Sequence, residues 1–120
     1  VCGLESNEDC LEVAYTVAHS PLVKTALFAS DANWGRILAA VGRARVKGIS
    51  FENINISLND VQIISSGEIS EQYTEEAGSR EMEKSDITIR IDLGNFITNE
   101  SVWTTDLSYD YVKINAEYRS

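Results

Sequence analysis

The spacing of the apolar residues in this 120-residue chain changes near residue 50. Between residues 10 and 18 apolar residues recur every three or four positions, whereas between residues 54 and 58 every second residue is apolar. The first spacing puts apolar side chains along one stripe of a helix, and the second puts them on one face of a strand. The chain is therefore expected to pack helices against a sheet.

Two short segments in the first half predict where a helix begins and ends. Ser6 is a suitable N-cap for a helix over the following residues. That helix should end near His19, because Pro21 disfavours the helical conformation of the residue before it. The apolar segment over residues 22–29 fits either a strand or a helix.

A second helix is expected over Ala32–Ala44, with Ser30 and Asp31 offering its N-cap. The free N–H groups at the start of this helix could hold an anion. The alternative is that the segment only packs, with Trp34 in the core and Gly42 where the helix meets the sheet. The residues alone do not decide between these interpretations.

The second half predicts strands and turns. Residues 54–63 read as a β-hairpin, residues 74–84 as a short helix and residues 87–93 as a strand of period two. A further strand is expected from Trp103 to Leu107, followed by a turn or short helix and a closing segment. Together these elements predict an α+β fold: one domain over residues 1–120, with about two main helices packed on a mixed or antiparallel sheet of four to five strands.

Composition excludes several classes of function. The chain carries 19 acidic and 10 basic residues, a net charge of −9, which argues against a nucleic-acid partner. It holds no run of 18 apolar residues, so no membrane partner is expected. Cys2 and Cys10 match neither a zinc spacing nor a disulfide framework. We therefore expect no metal and no cofactor, and a reducing, cytoplasmic location.

The residues alone show no catalytic arrangement, but the end of the chain is unusual. His19 is the only histidine and lies at a helix end, and no glycine-rich phosphate loop is present. Asn115 and Ser120 carry groups that can donate and accept hydrogen bonds, which suits an amino-acid ligand. An equally good interpretation is that Asn115 caps a turn and Ser120 is frayed.

Four segments together form a pattern more specific than any single motif. They are residues 20–42, the isoleucine-rich residues 87–93 that end in Asp-Leu before Gly94, Val102–Ser108, and residues 110–120 with the ending Asn-Ala-Glu-Tyr-Arg-Ser. In this order they resemble the ornithine acetyltransferase family, also called the glutamate N-acetyltransferases of arginine biosynthesis. The resemblance covers nearly the whole chain.

The resemblance implies an acyltransferase. Family members are made as a precursor that cleaves itself and leaves an N-terminal Thr on the β chain. This Thr is the nucleophile that passes acetyl from N-acetylornithine to glutamate, and some members also use acetyl-CoA. The chain has no match to the cleavage motif, so the resemblance identifies it as the C-terminal part of the β chain, with no catalytic residue of its own.

The resemblance also implies substrate contacts and partners. Two substrate-binding positions of the family correspond to Asn115 and Ser120. The expected partners are the α chain of the same precursor, the rest of the β chain and the small substrates, in a heterotetramer of two α and two β chains. The chain starts at Val1, which we interpret as the mark of a processed or excised piece. The alternative is a stand-alone α+β interaction or structural module without activity.

Overall fold

A computed structural model describes residues 1–117, without the side chains of residues 109, 112, 115 and 117. The helices within this range are α1 (Asn7–Ala18), α2 (Pro21–Phe28), α3 (Trp34–Arg43), α4 (Glu75–Met82) and α5 (Tyr109–Glu117). The strands are β1 (Asn55–Leu58), β2 (Val61–Ser65), β3 (Glu68–Ile69) and β4 (Ile89–Asp92). A short 3-10 helix, Phe51–Asn53, precedes β1.

The first helix begins and ends as predicted. The Ser6 hydroxyl accepts a hydrogen bond from the Asp9 N–H at 3.1 Å, and His19 is the C-cap of α1. The segment that fitted either a strand or a helix is α2. Its N-cap is Ser20, whose side chain accepts from the Val23 N–H, and Pro21 occupies the first turn. Proline suits this position because its fixed φ matches the helix and its missing N–H would have no partner there.

The predicted N-cap of α3 was wrong. Asn33 is the N-cap, and its side-chain oxygen accepts from the Arg36 N–H at 3.1 Å. Ser30 and Asp31 instead end the preceding helix: Ser30 has a φ of 54°, and the Asp31 N–H donates to the Ala26 carbonyl at 2.9 Å. A residue in the left-handed conformation is a common way to end a helix, and it satisfies the last free carbonyls.

The sheet has the order β3-β2-β1-β4, and all neighbouring strands are antiparallel. The register between β1 and β2 shifts at Ile56 and Ser57, because Ile56 faces Ile64 while Ser57 faces Gln62. This leaves Ile63 as an extra residue on β2, which is a β-bulge. Ile63 and Ile64 are therefore both buried, although strict alternation would bury only one of them.

One hydrophobic core joins the helices to the sheet. The helices α1, α2 and α3 pack on one another, and α4 packs against β1 and β2. The most deeply buried large side chains come from both layers: Cys10, Val13, Val41, Ile54, Ile56, Leu58, Ile63, Ile64 and Ile91. The predicted α+β class is confirmed, the sheet is antiparallel with four of the four to five expected strands, and α1 and α3 are the two expected main helices. None of the described helices is long and apolar enough to cross a membrane.

The strand expected over Trp103–Leu107 does not form within the described residues. Its residues are of the strand-forming types, but a strand also needs a neighbour that completes its hydrogen bonds. The Trp103 side chain is 95% exposed. The residues expected to form a turn or short helix, and most of the closing segment, make up α5 instead.

Candidate functional site

The two predicted substrate-binding residues fall at the limit of what the structure describes. The backbone of Asn115 belongs to α5, but its side chain is not described. Ser120 lies outside the described residues. Their role therefore stays a prediction. The structure does describe the contacts of the residues that lead into the C-terminal segment.

The segment that leads into α5 is fixed to the helical layer at two points. The Thr104 hydroxyl donates to the Ala18 carbonyl at the end of α1, at 3.0 Å. The Leu107 N–H donates to the Lys24 carbonyl in α2, at 3.1 Å. The Ser108 hydroxyl then accepts from the Tyr111 N–H at 3.0 Å, in the first turn of α5. The start of α5 is thus positioned by α1 and α2.

Beyond these contacts α5 presents an apolar side chain to solvent. Ile114 is 63% exposed, one position before Asn115, and Lys113 is also exposed.

An open cleft of about 520 Å³ lies at the start of α3, where an anion site was considered. Its lining comes from the loop before α3, the first turn of α3 and the region of α4: Asp31, Ala32, Asn33, Trp34, Gly35, Tyr73, Glu75 and Ser79. The Asn33 side-chain oxygen already accepts a hydrogen bond from the Arg36 N–H, one of the free N–H groups in the first turn of α3. The cleft therefore offers fewer anion-binding groups than a bare helix terminus.

The charges around this cleft oppose an anion. Burial raises the pKa of the Tyr73 hydroxyl, and the nearby carboxylates of Glu75 and Asp31 raise it further. The Arg36 guanidinium, on α3, donates instead to the Leu22 carbonyl at 2.9 Å. These observations favour the packing interpretation for residues 20–42. The segment forms α2 and α3, which pack into the core, and Trp34 is partly buried against that core.

The thiols of this chain are poorly suited to nucleophilic chemistry. Burial raises the pKa of the Cys2 thiol, and the neighbouring Asp92 carboxylate raises it further. A thiol held in its protonated form is a weak nucleophile. Cys10 is fully buried, with its sulfur 3.3 Å from the Thr98 hydroxyl.

His19 does not face a catalytic partner in the described structure. Its ring packs beside that of Tyr15, with 5.4 Å between the ring centroids. Within residues 1–117, no three histidine, cysteine or acidic side chains come together in a way that could hold a metal ion.

Sequence reasoning missed the extension of the sheet beyond β4. Cys2 forms a parallel bridge with Asp92 and an antiparallel bridge with Asn99. The available signal was the strand-like character of the first residues of the chain. It was too short to predict a partner, because a bridge between residues so far apart in sequence depends on the tertiary fold.

Comparison with known proteins gives a consistent result. A family model described as the ArgJ family matches residues 1–120. The protein named arginine biosynthesis bifunctional protein ArgJ from Pseudomonas fluorescens (strain Pf0-1) is 58% identical over 120 residues, which is all of this chain and 30% of that protein. The protein of the same name from Psychrobacter arcticus is 56% identical over the same share of both chains.

A solved structure shares the fold. The crystal structure of the arginine biosynthesis bifunctional protein from Bacillus halodurans superimposes with a TM-score of 0.89 at 32% identity, over 97% of this chain and 54% of that one. The chain spans about 30% of the length of the curated relatives it matches.

Proposed function

The chain belongs to the ArgJ family, and we propose that it is the C-terminal part of the β chain of a glutamate N-acetyltransferase. The whole enzyme transfers acetyl from N-acetylornithine to glutamate in arginine biosynthesis, in the cytoplasm. The observation that carries this proposal is the family match over all 120 residues, joined by relatives named for arginine biosynthesis at 56–58% identity.

In this proposal the reaction is divided between this segment and the rest of the protein. The nucleophile is the Thr exposed when the precursor cleaves itself, and it lies in a part of the protein outside these residues. A threonine hydroxyl becomes reactive when a neighbouring amine or other base removes its proton, and the acetyl group then passes through a covalent intermediate. This segment supplies no catalytic residue.

The contribution of this segment is to bind and orient the amino-acid substrate. Asn115 and Ser120 hydrogen-bond the acetylated amino acid, whose carboxylate and amide match an amide side chain and a hydroxyl. Ser108 and the hydrogen bonds of Thr104 and Leu107 support the position of α5. The exposed Ile114 then faces the rest of the enzyme. The whole enzyme is a heterotetramer of two α and two β chains, and this segment is part of the β chain.

The first test is the activity of the full-length protein. We expect it to cleave itself into two chains and to transfer acetyl from N-acetylornithine to glutamate; adding acetyl-CoA shows whether that donor is also used. A full-length protein that folds and shows neither cleavage nor transfer would favour a stand-alone structural module instead.

The second test addresses the substrate-binding residues. Asn115→Ala and deletion of Ser120 should each raise the KM for N-acetylornithine, because each removes a hydrogen bond to a charged ligand, worth about 1.5–3 kcal/mol. That range corresponds to a roughly 10- to 150-fold increase. Lys113→Ala, an exposed position on the same helix, is the matched control and should leave KM unchanged. If all of these variants had the same KM as the unaltered enzyme, the assignment of Asn115 and Ser120 to substrate binding would be refuted.

A further inference from the structure

The first residues of the chain form a short ladder at the edge of the sheet. The Val1 amine donates to the Glu100 carbonyl at 2.9 Å, and the Glu100 N–H donates back to the Val1 carbonyl at 2.9 Å. This reciprocal exchange is the hydrogen-bonded pair of an antiparallel ladder. One step along, Cys2 faces Asn99. The N-terminal segment therefore lies antiparallel to the segment that contains Asn99 and Glu100.

The same N-terminal residues are also held against β4. Cys2 donates through its N–H to the Ile91 carbonyl and accepts from the Leu93 N–H, both at 2.9 Å, in a parallel arrangement. The contact is close next to this bridge: a Cβ atom on Gly3 would lie 2.5 Å from the backbone of Gly94. The N-terminal segment is thus firmly placed between β4 and residues 98–100.

The ladder stops at Glu100, but its outer segment continues. Among the described residues, no backbone N–H or carbonyl of residues 101–106 has a hydrogen-bond partner. Val102 and Thr104 lie on alternate positions, and the Thr104 hydroxyl is tied to the Ala18 carbonyl. Trp103, between them, is 95% exposed. Residues 101–106 therefore include residue types that favour a strand, but they have no hydrogen-bonded neighbour within the described part of the chain.

Beyond Val1, the edge of β4 that pairs with Cys2 has no partner among the described residues. This leaves a gap between β4 and residues 101–106. The carbonyl of Ile91 and the N–H of Leu93 point towards Cys2, while the other edge of β4 is paired with β1. Alternate residues of a strand direct their backbone groups to the same side. The carbonyl of Ile89 and the N–H of Ile91 therefore also point into the gap between β4 and residues 101–106.

We infer, building on the function proposed above, that the residues immediately before Val1 in the full-length protein form a strand that fills this gap. The strand continues the existing ladder, parallel to β4 and antiparallel to residues 101–106. The register follows from the pairing of Val1 with Glu100: the first residue before Val1 faces Ser101, the second faces Val102 and the third faces Trp103. Residues 101–106 thereby become part of the sheet.

Three further points favour this occupant over a second copy of the chain. The curated relatives are about three times as long, since this chain covers 30% of them, so polypeptide to form the strand is available in a protein of this family. A segment joined covalently to Val1 also meets the gap at a far higher effective concentration than a separate molecule does. The opposite edge of the sheet, β3, has only two residues and carries Glu68, and such short, charged edges resist pairing.

The register can be tested by cross-linking within the full-length protein. Trp103→Cys is combined with cysteine at the third residue before Val1, and the protein is treated with a mild oxidant. In the inferred register these positions are a non-hydrogen-bonded pair with Cα atoms about 4.5 Å apart, within the range of a disulfide. Peptide mapping should identify this bond within one polypeptide. The matched control pairs Trp103→Cys with the fourth residue before Val1, whose side chain leaves the opposite face, and should give no bond.

Hydrogen exchange provides a second measurement that needs no substitution. In the unaltered full-length protein the amides of Val102 and Thr104 point towards the inferred strand and should exchange at least 100-fold more slowly than in an unstructured peptide. Exchange at the peptide rate at both positions would overturn the inference. So would a disulfide found only between two copies of the protein.

The acetyl-transfer assay on the same preparation separates this inference from the proposed function. An active enzyme that shows neither the disulfide nor amide protection would refute the inferred strand and support the proposed function. An inactive protein that shows both signals would support the inferred strand and refute the proposed function.

Discussion

At the scale of single residues, Asn59 connects three elements of the fold. It occupies the turn between β1 and β2 with a φ of 53°. Its side-chain oxygen accepts from the Thr88 N–H at 2.9 Å, and its amide donates to Glu81 in α4 at 3.3 Å. Hydrogen bonds from Lys84 and Asn59 lower the pKa of the Glu81 carboxyl. One side chain thus holds the hairpin, the approach to β4 and α4 together.

We therefore predict that Asn59→Ala lowers the free energy of unfolding by about 1–3 kcal/mol. It removes both side-chain hydrogen bonds and places alanine in the left-handed conformation, which costs about 1–2 kcal/mol where it is not relaxed. Asn59→Gly should recover part of the loss, because glycine accepts this conformation. Denaturant unfolding of the purified protein measures each change.

The control for this prediction lies in the same turn. Asp60 is exposed and has no hydrogen bond among the described contacts, so Asp60→Ala should change stability by less than about 0.5 kcal/mol. If Asn59→Ala were as mild as Asp60→Ala, the connecting role of Asn59 would be refuted.

Residues that act locally could be read from the sequence, and residues that act across the fold could not. Ser6 was predicted as an N-cap because its partner, the Asp9 N–H, is three residues away. The partners of Asn59 are 22 and 29 residues away, and only the folded structure brings them near. Ser30 is an exception: it acts locally by ending α2, but it was assigned to the following helix because the segment before it was left open between a helix and a strand.

At the scale of elements, the docking of α4 depends on a glycine. A Cβ atom on Gly78 would lie 2.8 Å from the Tyr73 ring and 2.9 Å from the Ala32 Cβ. These distances are shorter than ordinary carbon contacts, so α4 can approach the loop before α3 only where this side chain is absent.

Gly78→Ala should accordingly destabilise the protein by about 1–3 kcal/mol through overpacking. The sign is informative, because alanine is favoured over glycine in a helix interior by about 1 kcal/mol. Ser79→Ala, at the exposed neighbouring position of the same helix, should be neutral or slightly stabilising. Thermal unfolding distinguishes the two variants, and a Gly78→Ala protein with a raised Tm would show that the helix can shift without loss.

The elements themselves differ in how far the sequence predicts them. The spacing of apolar residues predicted α1, β1 and β4, because each buries one face against the core. The eight-residue α2 was left open, since a short apolar run fits either a helix or a strand. The bulge at Ile63 was missed because alternation describes only regular strands. The strand expected at Trp103–Leu107 does not form within the described residues, because strand-forming residue types do not supply a hydrogen-bonded neighbour.

At the scale of the whole molecule, the family resemblance predicted what spacing could not. Composition excluded several partners, but no pattern of residues identified a reaction. The hydrogen-bonding groups of Asn115 and Ser120 left substrate binding and a frayed turn equally good, and only the resemblance of the terminal segment favoured substrate binding. In the structure the residues just before this segment, Thr104 and Leu107, contact α1 and α2, so the start of α5 is positioned by tertiary contacts that no periodicity reveals.

The free sheet edge makes a prediction for the 120-residue chain expressed alone. Without a neighbouring strand, residues 101–106 and the exposed Trp103 form an open edge, which is a template for pairing with another chain. The net charge of −9 opposes such contact, and salt weakens this repulsion because the Debye length falls to about 10 Å at 0.1 M. Self-association, measured by sedimentation velocity, should therefore increase with both protein concentration and salt.

Substitutions at the two edges of the sheet locate the contact. Trp103→Lys places a charge on the open edge and should keep the chain monomeric under conditions where the unaltered chain associates. Ile69→Lys makes the same change on β3, where the side chain is 53% exposed, and should leave association unchanged. Circular dichroism first establishes that all three chains are folded. If Ile69→Lys abolished association and Trp103→Lys did not, the contact between copies would lie at β3. Residues 101–106 would then not be the edge through which copies of this chain associate.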